Sequence, residues 1–145
     1  MSFKFIDGVS LADIAFEAKG KTLEGMFESA GNALMNTQVK DLKTIEQKKE
    51  VKFELANIDI ERLLQDFLQE LIFYKDAKLL LFSKYKIKIK EDKKNNKFVL
   101  RASVKGEKIN MKKHELLVDV KAVSWHRYEV KKVKTGWSCF VILDV

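Results

Sequence analysis

The sequence predicts a single α+β domain in which two helices pack on a largely antiparallel β-sheet. Three observations lead there. Two segments carry apolar residues at helical spacing. Almost everything beyond residue 79 alternates apolar with polar residues between short turn signals, which is the period of strands. The chain has 145 residues, 46% of them hydrophobic, enough for one core, so residues 1–145 are read as one domain.

Taken in order, Phe3 to Ile6 reads as a short strand. Val9 to Lys19 follows as a half-buried one, with Ala12, Ile14, Phe16 and Ala18 on one face and Leu11, Asp13, Ala15 and Glu17 on the other. Gly20-Lys21 turns the chain and Thr22 is placed to cap a helix. Leu23, Met26, Phe27, Ala30 and Leu34 then define helix one, over about residues 22–36. Val39 to Glu50 is polar and reads as a loop into the strand Val51 to Ala56. Asp59 caps helix two, whose stripe of Ile60, Leu63, Leu64, Phe67, Leu68, Leu71 and Ile72 is the strongest helical signal in the chain. Phe73 to Lys78 reads as a turn and Leu79 as the start of a strand. Lys84, Lys86, Lys88 and Lys90 alternate with Tyr85, Ile87 and Ile89. Asp92 to Asn96 turns, Phe98 to Lys105 returns, and Gly106 breaks the run. Val118 to Val123, Trp125 to Val133 and Trp137 to Val145 read as three last strands, with Gly136 in the final turn. No internal repeat, linker or low-complexity stretch interrupts this order.

Composition narrows the classes. No apolar run approaches the length of a membrane span, and Met1 to Gly8 lacks the pattern of a signal peptide. One cysteine, Cys139, excludes an internal disulfide framework. Its apolar setting, Cys139 to Leu143, reads as a buried, inert thiol, and a reducing, cytoplasmic compartment is expected. The formal charge of +7 is local. Residues 84–113 hold twelve Lys/Arg against three acids, and the remainder is slightly acidic. Such local charge guides a polyanion or an acidic partner.

Searching for chemistry removes most enzymes. Gly20-Lys21-Thr22 resembles the end of a phosphate-binding loop, but Ala15 stands where that loop needs its first glycine. His114 and His126 lack Cys or His partners at zinc spacing and read as hydrogen-bonding sheet residues. No serine occupies a nucleophile elbow. No catalytic residue is assigned. Asp13 and Asp144 stand out because each is a carboxylate among apolar strand neighbours, where lost hydration calls for donors or a cation. On that ground alone, each caps a backbone end, pairs with a lysine or belongs to a metal site.

Four segments then resemble the archease family. Ser10-Leu11-Ala12-Asp13-Ile14-Ala15 with Lys21 to Phe27 is similar to the family's His-Thr-Ala-Asp-(Val/Ile)-Gly motif and first helix. Leu64 to Leu71 with Leu79 to Phe82 is similar to its central helix and following strand. His114-Glu115 with Val120-Lys121-Ala122-Val123-Ser124-Trp125-His126 is close to its Val-Lys-Ala-(Val/Ile)-Thr-Tyr-His. The ending Val141-Ile142-Leu143-Asp144-Val145 is the fourth. Ser10, Leu11 and Ala15 depart from the family's His, Thr and Gly, and the chain is basic where archeases tend to be acidic.

The resemblance implies the two-helix α+β fold and a role as an ancillary, non-enzymatic protein. Family members activate an RtcB-type RNA ligase, promoting its guanylylation and multiple turnover in tRNA splicing or RNA repair, with RNA met through the ligase. The resemblance also implies a divalent-cation site at Asp13, Asp144 and a main-chain oxygen of Val145. All-oxygen ligation suits Ca²⁺, with Mn²⁺ a possible substitute. Lys121 and His126, in the third segment, are placed near that site or the partner by the resemblance alone. The competing reading, from the residues themselves, is a direct RNA-binding module using Lys84, Lys86, Lys88 and Lys90 with Tyr85 beside them. Against it stands the plain alternative that alternating lysines solvate a strand and blunt an edge.

Overall fold

The computed structural model describes residues 2–8 and 13–145. The readings for Val9 to Ala12, including the start of the second strand and the Ser10 and Leu11 departures, lie outside the described residues. The elements run β1 (Ser2–Ile6), β2 (Asp13–Gly20), α1 (Leu23–Gln38), a 3₁₀ turn (Leu42–Thr44), β3 (Lys49–Asn57), α2 (Ile60–Lys78), β4 (Leu80–Asp92), β5 (Lys97–Lys108), β6 (Ala122–Val133) and β7 (Gly136–Asp144).

The α+β class with two helices and antiparallel pairing is as the pattern predicted. The strands, however, form two sheets rather than one. β1-β2-β7-β6 makes a four-stranded sheet, and β3-β5-β4 a three-stranded one. Both helices touch both sheets and lie between them. Periodicity could not show this division, because an alternating strand reads the same in either sheet.

The helices form where their caps and stripes dictate. Thr22 accepts a hydrogen bond from the Gly25 N–H at 3.0 Å, and Asp59 accepts one from the Arg62 N–H at 2.7 Å. The stripe of α2 supplies the centre of the core. Leu63, Phe67 and Leu71 are fully buried, as is Phe27 of α1, while Leu23 packs at the margin. Phe67 meets the rings of Phe27, Phe53 and Tyr85 at centroid distances of 5.7, 6.2 and 6.3 Å, so one side chain joins both helices to the second sheet.

Several boundaries differ from the sequence reading. Residues 73–78 are a continuation of α2 and not a turn. The helix ends only at Leu79, which caps it in the left-handed conformation (φ 57°) in place of the glycine such a cap usually employs. Phe73 to Lys78 broke the apolar stripe, but Tyr74 lies against Phe53 and Phe82. Residues 73–78 contain no glycine or proline to punctuate a turn.

Gly106 does not end β5, which runs on to Lys108. A Cβ there would lie 1.7 Å from the Leu81 carbonyl oxygen, so the glycine admits close passage of β4 at the irregularity between Phe82 and Lys84. Val118 to Val123 and Trp125 to Val133 are not two strands. Pairing begins at Ala122, and β6 is one bulged strand in which Trp125 to Tyr128 stand opposite the single residue Val141. The polar stretch 39–50 contains the 3₁₀ turn and the start of β3, and Val39 bridges to Leu116.

Candidate metal centre

The two middle strands of the four-stranded sheet set the site. β2 and β7 pair antiparallel with Phe16 opposite Val141, both in the core, which sends the odd residues of β2 and the even residues of β7 to the outer face. At the end of this ladder Asp13 stands directly opposite Asp144. Ala122 of β6 faces Asp144 from the other side, so the three positions form a row across three strands. Directly opposed residues hold their Cβ atoms about 5 Å apart. Two carboxylates that converge from such positions would repel unless a cation or proton lay between them. Among the described residues neither has a hydrogen-bond donor or a cationic partner. Among the described residues, then, the cap and lysine-pair alternatives find no partner, and the chemistry of the pair fits a hard cation held by oxygen atoms.

No third His, Cys, Asp or Glu joins the pair among the described residues. The further oxygens would come from main chain, as the resemblance implies for Val145, which follows Asp144 directly, and from water. Asp13 also lines an open cavity of about 360 Å³ with Asp7, Asn36, Thr37, Leu117 and Val118. Asp7 and Asn36 carried no signal in the sequence, since they reach this cavity from the end of β1 and the last turn of α1.

Lys121 stands beside the pair. Its backbone N–H donates to the Asp144 carbonyl at 2.8 Å, and its side chain is exposed. The segment that carries it is held by polar side chains from both helices. Gln38 accepts from the Val120 N–H at 3.3 Å, and Lys75 donates to the Val120 carbonyl at 3.0 Å. Gln69 accepts from the Val123 N–H at 2.8 Å, and Gln65 donates to the Val123 carbonyl at 2.9 Å. These four residues occupy backbone groups that strand pairing does not. Lys75, which is buried, also pairs with Asp119. The sequence held one clue: Lys75 lies a turn beyond Leu71 on the stripe of Leu64 and Leu68, where a lysine needs a specific partner.

Among the described residues His126 makes no hydrogen bond or ion pair with either aspartate. It is exposed in the β6 bulge, where its backbone N–H donates to the Ser124 hydroxyl at 3.0 Å. The bulge is anchored by Tyr128, whose hydroxyl donates to the Glu61 carbonyl at 2.7 Å. Arg127 takes a left-handed φ of 56° and lays its guanidinium over Phe140, 5.0 Å from the ring centroid. Trp125 is left 57% exposed.

The second histidine is structural and sits in a loop rather than in a sheet. His114 is buried, accepts from the Asn110 N–H through Nδ1 at 3.0 Å and meets Glu107 through Nε2 at 3.1 Å. Glu107 also accepts from Lys113 and from the Glu46 N–H. Burial alone would raise its pKa, but the donors from Lys113, Glu46 and His114 together hold it down at about 2. Cys139 is buried, and desolvation pushes its thiol up to about 12, in keeping with an inert thiol.

Lys84, Lys86, Lys88 and Lys90 all face solvent on the outer side of β4. Tyr85 does not stand with them. It points into the core, where it is buried against Phe67, and burial raises its pKa far above the ordinary tyrosine value. Strict alternation in a strand sends neighbours to opposite faces.

A two-sheet domain with two sandwiched helices and an oxygen-donor pair at the end of one sheet is the class of protein defined so far. The sequence model of the archease protein family matches residues 3–145, and the chain belongs to that family. It is 36% identical over 135 residues to the protein archease of Pyrococcus furiosus, covering 92% of this chain and 93% of the relative. It is 40% identical over 143 residues to the protein archease of Sulfolobus acidocaldarius, covering 99% and 98%. The solution structure of Methanobacterium thermoautotrophicum protein 1598 matches with a TM-score of 0.81 at 34% identity, covering 99% of this chain and 98% of that one.

Proposed function

We propose that this protein activates an RtcB-type RNA ligase, promoting its guanylylation and repeated turnover in tRNA splicing or RNA repair, and performs no chemistry of its own. The observation that carries the reading is the placement of Asp13 opposite Asp144 within a chain that is archease along its whole length. The pair, with the main-chain oxygen of Val145, would hold one divalent cation, Ca²⁺ by the hardness of its donors and Mn²⁺ as a substitute. When bound, that ion supplies positive charge at the edge of the sheet and neutralises the two carboxylates.

The chain's own residues do the rest. The ladder of the two central strands fixes the backbone of Asp13 opposite that of Asp144. Lys121 is held beside them by its bond to Asp144 and by the bonds of Val120 and Val123 to α1 and α2, and its exposed side chain can meet a partner's acidic or phosphate group. Guanylylation of a ligase is largely a problem of positioning metal and triphosphate. A protein that binds the competent ligase conformation better than the others shifts the population towards it. The compartment proposed for this is the cytoplasm. No described helix is long and apolar enough to cross a membrane.

The experiment is a ligation time course with cognate ligase, excess RNA and GTP. Catalytic amounts of this protein should carry product beyond one equivalent of ligase, and Asp144→Ala should abolish that while the domain stays folded. Product that never exceeds one turnover, with folded wild-type protein present, would overturn the reading.

A further inference from the structure

We propose that the outer face of the three-stranded sheet, along β4, binds the sugar-phosphate backbone of single-stranded RNA directly. On that face Lys84, Lys86, Lys88 and Lys90 form an unbroken row, and none of them has an ion pair among the described residues. Alternate residues of a strand are about 7 Å apart, a spacing comparable to one backbone unit of an extended nucleotide chain. The row continues sideways. Lys84 stands directly opposite Lys105 on β5, and Lys88 directly opposite Arg101.

Two features separate this from a strand edge that is simply protected. Edge protection requires charges on the edge strand, and β4 is an edge. Arg101 and Lys105, however, belong to the central strand, which needs no protection. Each of these two stands opposite an acid of β3, Arg101 opposite Glu54 and Lys105 opposite Glu50, so the charge left unbalanced is the lysine row of β4 itself. The acids on this face border the row, Glu54 at the first of two troughs over it and Glu91 and Asp92 at the second, and most of them are engaged. Glu54 is taken by Arg101 at 2.8 Å, Glu50 by the Ser103 hydroxyl at 2.7 Å and by Lys52, and Asp92 is engaged at the hairpin tip by Asn95.

The shape and composition of the face select the ligand. A shallow trough of about 450 Å³ lies over Lys86, Lys88, Arg101 and Ser103, and a second one continues it over Lys90 and Val99. The face has no aromatic side chain, because Tyr85, Ile87 and Ile89 turn inward. It therefore lacks the buried apolar or aromatic anchors of a protein interface and the wedge of a membrane surface. It also lacks a platform for stacking bases, so it grips backbone without reading sequence. Among polyanions, the choice of RNA rests on the ligase-activator reading, but binding itself needs no ligase. Success or failure here is thus separable from that reading.

The test is fluorescence anisotropy with labelled oligouridylate and the full chain, without ligase. With about five lysines in contact, each neutralised phosphate adding about 0.7 to the salt slope of a single strand, log K against log salt should fall with a slope of about −3 to −4. Affinity should drop about 100-fold between about 50 and 200 mM salt. Lys86→Glu/Lys88→Glu should weaken binding at least tenfold and flatten the slope. Lys131→Glu/Lys134→Glu, the same charge change at the β6–β7 hairpin of the other sheet, should leave it within twofold. Melting curves monitor folding, and Lys86→Gln/Lys88→Gln provides a milder second pair. Absence of salt-dependent binding by wild type, equal losses in the two Glu variants, or tighter binding to duplex DNA would each overturn the proposal.

Discussion

Glu107 is where a single proton should be felt across two loops. Its carboxylate is buried and accepts from Lys113, from the Glu46 N–H and from His114, so it ties the segments 42–48 and 109–114 to the end of β5. Its pKa lies at about 2 in the folded protein against an ordinary 4.5. A depressed carboxylate contributes stability that is present above the unfolded value and is lost as pH falls through the folded one. The gap is equivalent to about 3 kcal/mol at about 1.4 kcal/mol per pKa unit. Lys113 keeps some contact with solvent and Lys48 much more, so screening leaves about 2 kcal/mol of this. Glu107→Gln keeps the volume and removes the charge. At pH 7 it should lower stability to urea by about that amount. Between pH 5 and pH 2 wild type should lose stability more steeply than the variant, and the two should converge. Parallel profiles across that range would refute the assignment of the acid transition to this cluster.

Phe67→Ala should cost about 3–5 kcal/mol in chemical denaturation, because the ring is fully buried between Phe27, Phe53 and Tyr85; a loss below about 1 kcal/mol would place the core elsewhere. Cys139, buried with its thiol pushed up to about 12, should resist a maleimide at pH 8 in the native protein and react promptly in denaturant; fast native labelling would contradict its placement. Asp13→Asn should weaken Ca²⁺ or Mn²⁺ binding by calorimetry at least tenfold, whereas equal affinity in the variant and wild type would sink the metal assignment.

The central part of this fold was written in local pattern. Leu63, Phe67 and Leu71 follow helical spacing because one face of α2 must be buried along its whole length, and Thr22 and Asp59 announced their helices by cap chemistry alone. What stayed hidden was decided by tertiary context. Leu79 ends α2 in a left-handed conformation that leucine rarely adopts, and nothing local signals it. Gly106 looks like a breaker in sequence, yet its missing Cβ is what lets two strands pass. The bulge at Trp125 to Tyr128 reads as a strand end followed by a new strand, because the pairing partner decides it. The site was half legible. The exposed charges of buried-looking strands marked Asp13 and Asp144, but only the register of β2 and β7 brings them face to face. Gln38, Gln65 and Gln69, which with Lys75 hold the Lys121 segment, look in sequence like ordinary helix polar residues, and only Lys75 stands out by its place on the apolar stripe.

The central claim is that this protein acts on the guanylylation of a ligase, through the end of the sheet that carries Asp13 and Asp144. The most direct measurement is the rate at which labelled GMP from GTP is incorporated into cognate ligase that has just released product. With wild-type protein in catalytic amounts, relabelling should be faster and more complete than with ligase alone, and Asp13→Asn and Asp144→Ala should return it to the ligase's own rate while remaining folded. Identical incorporation with and without the wild-type protein would contradict the account.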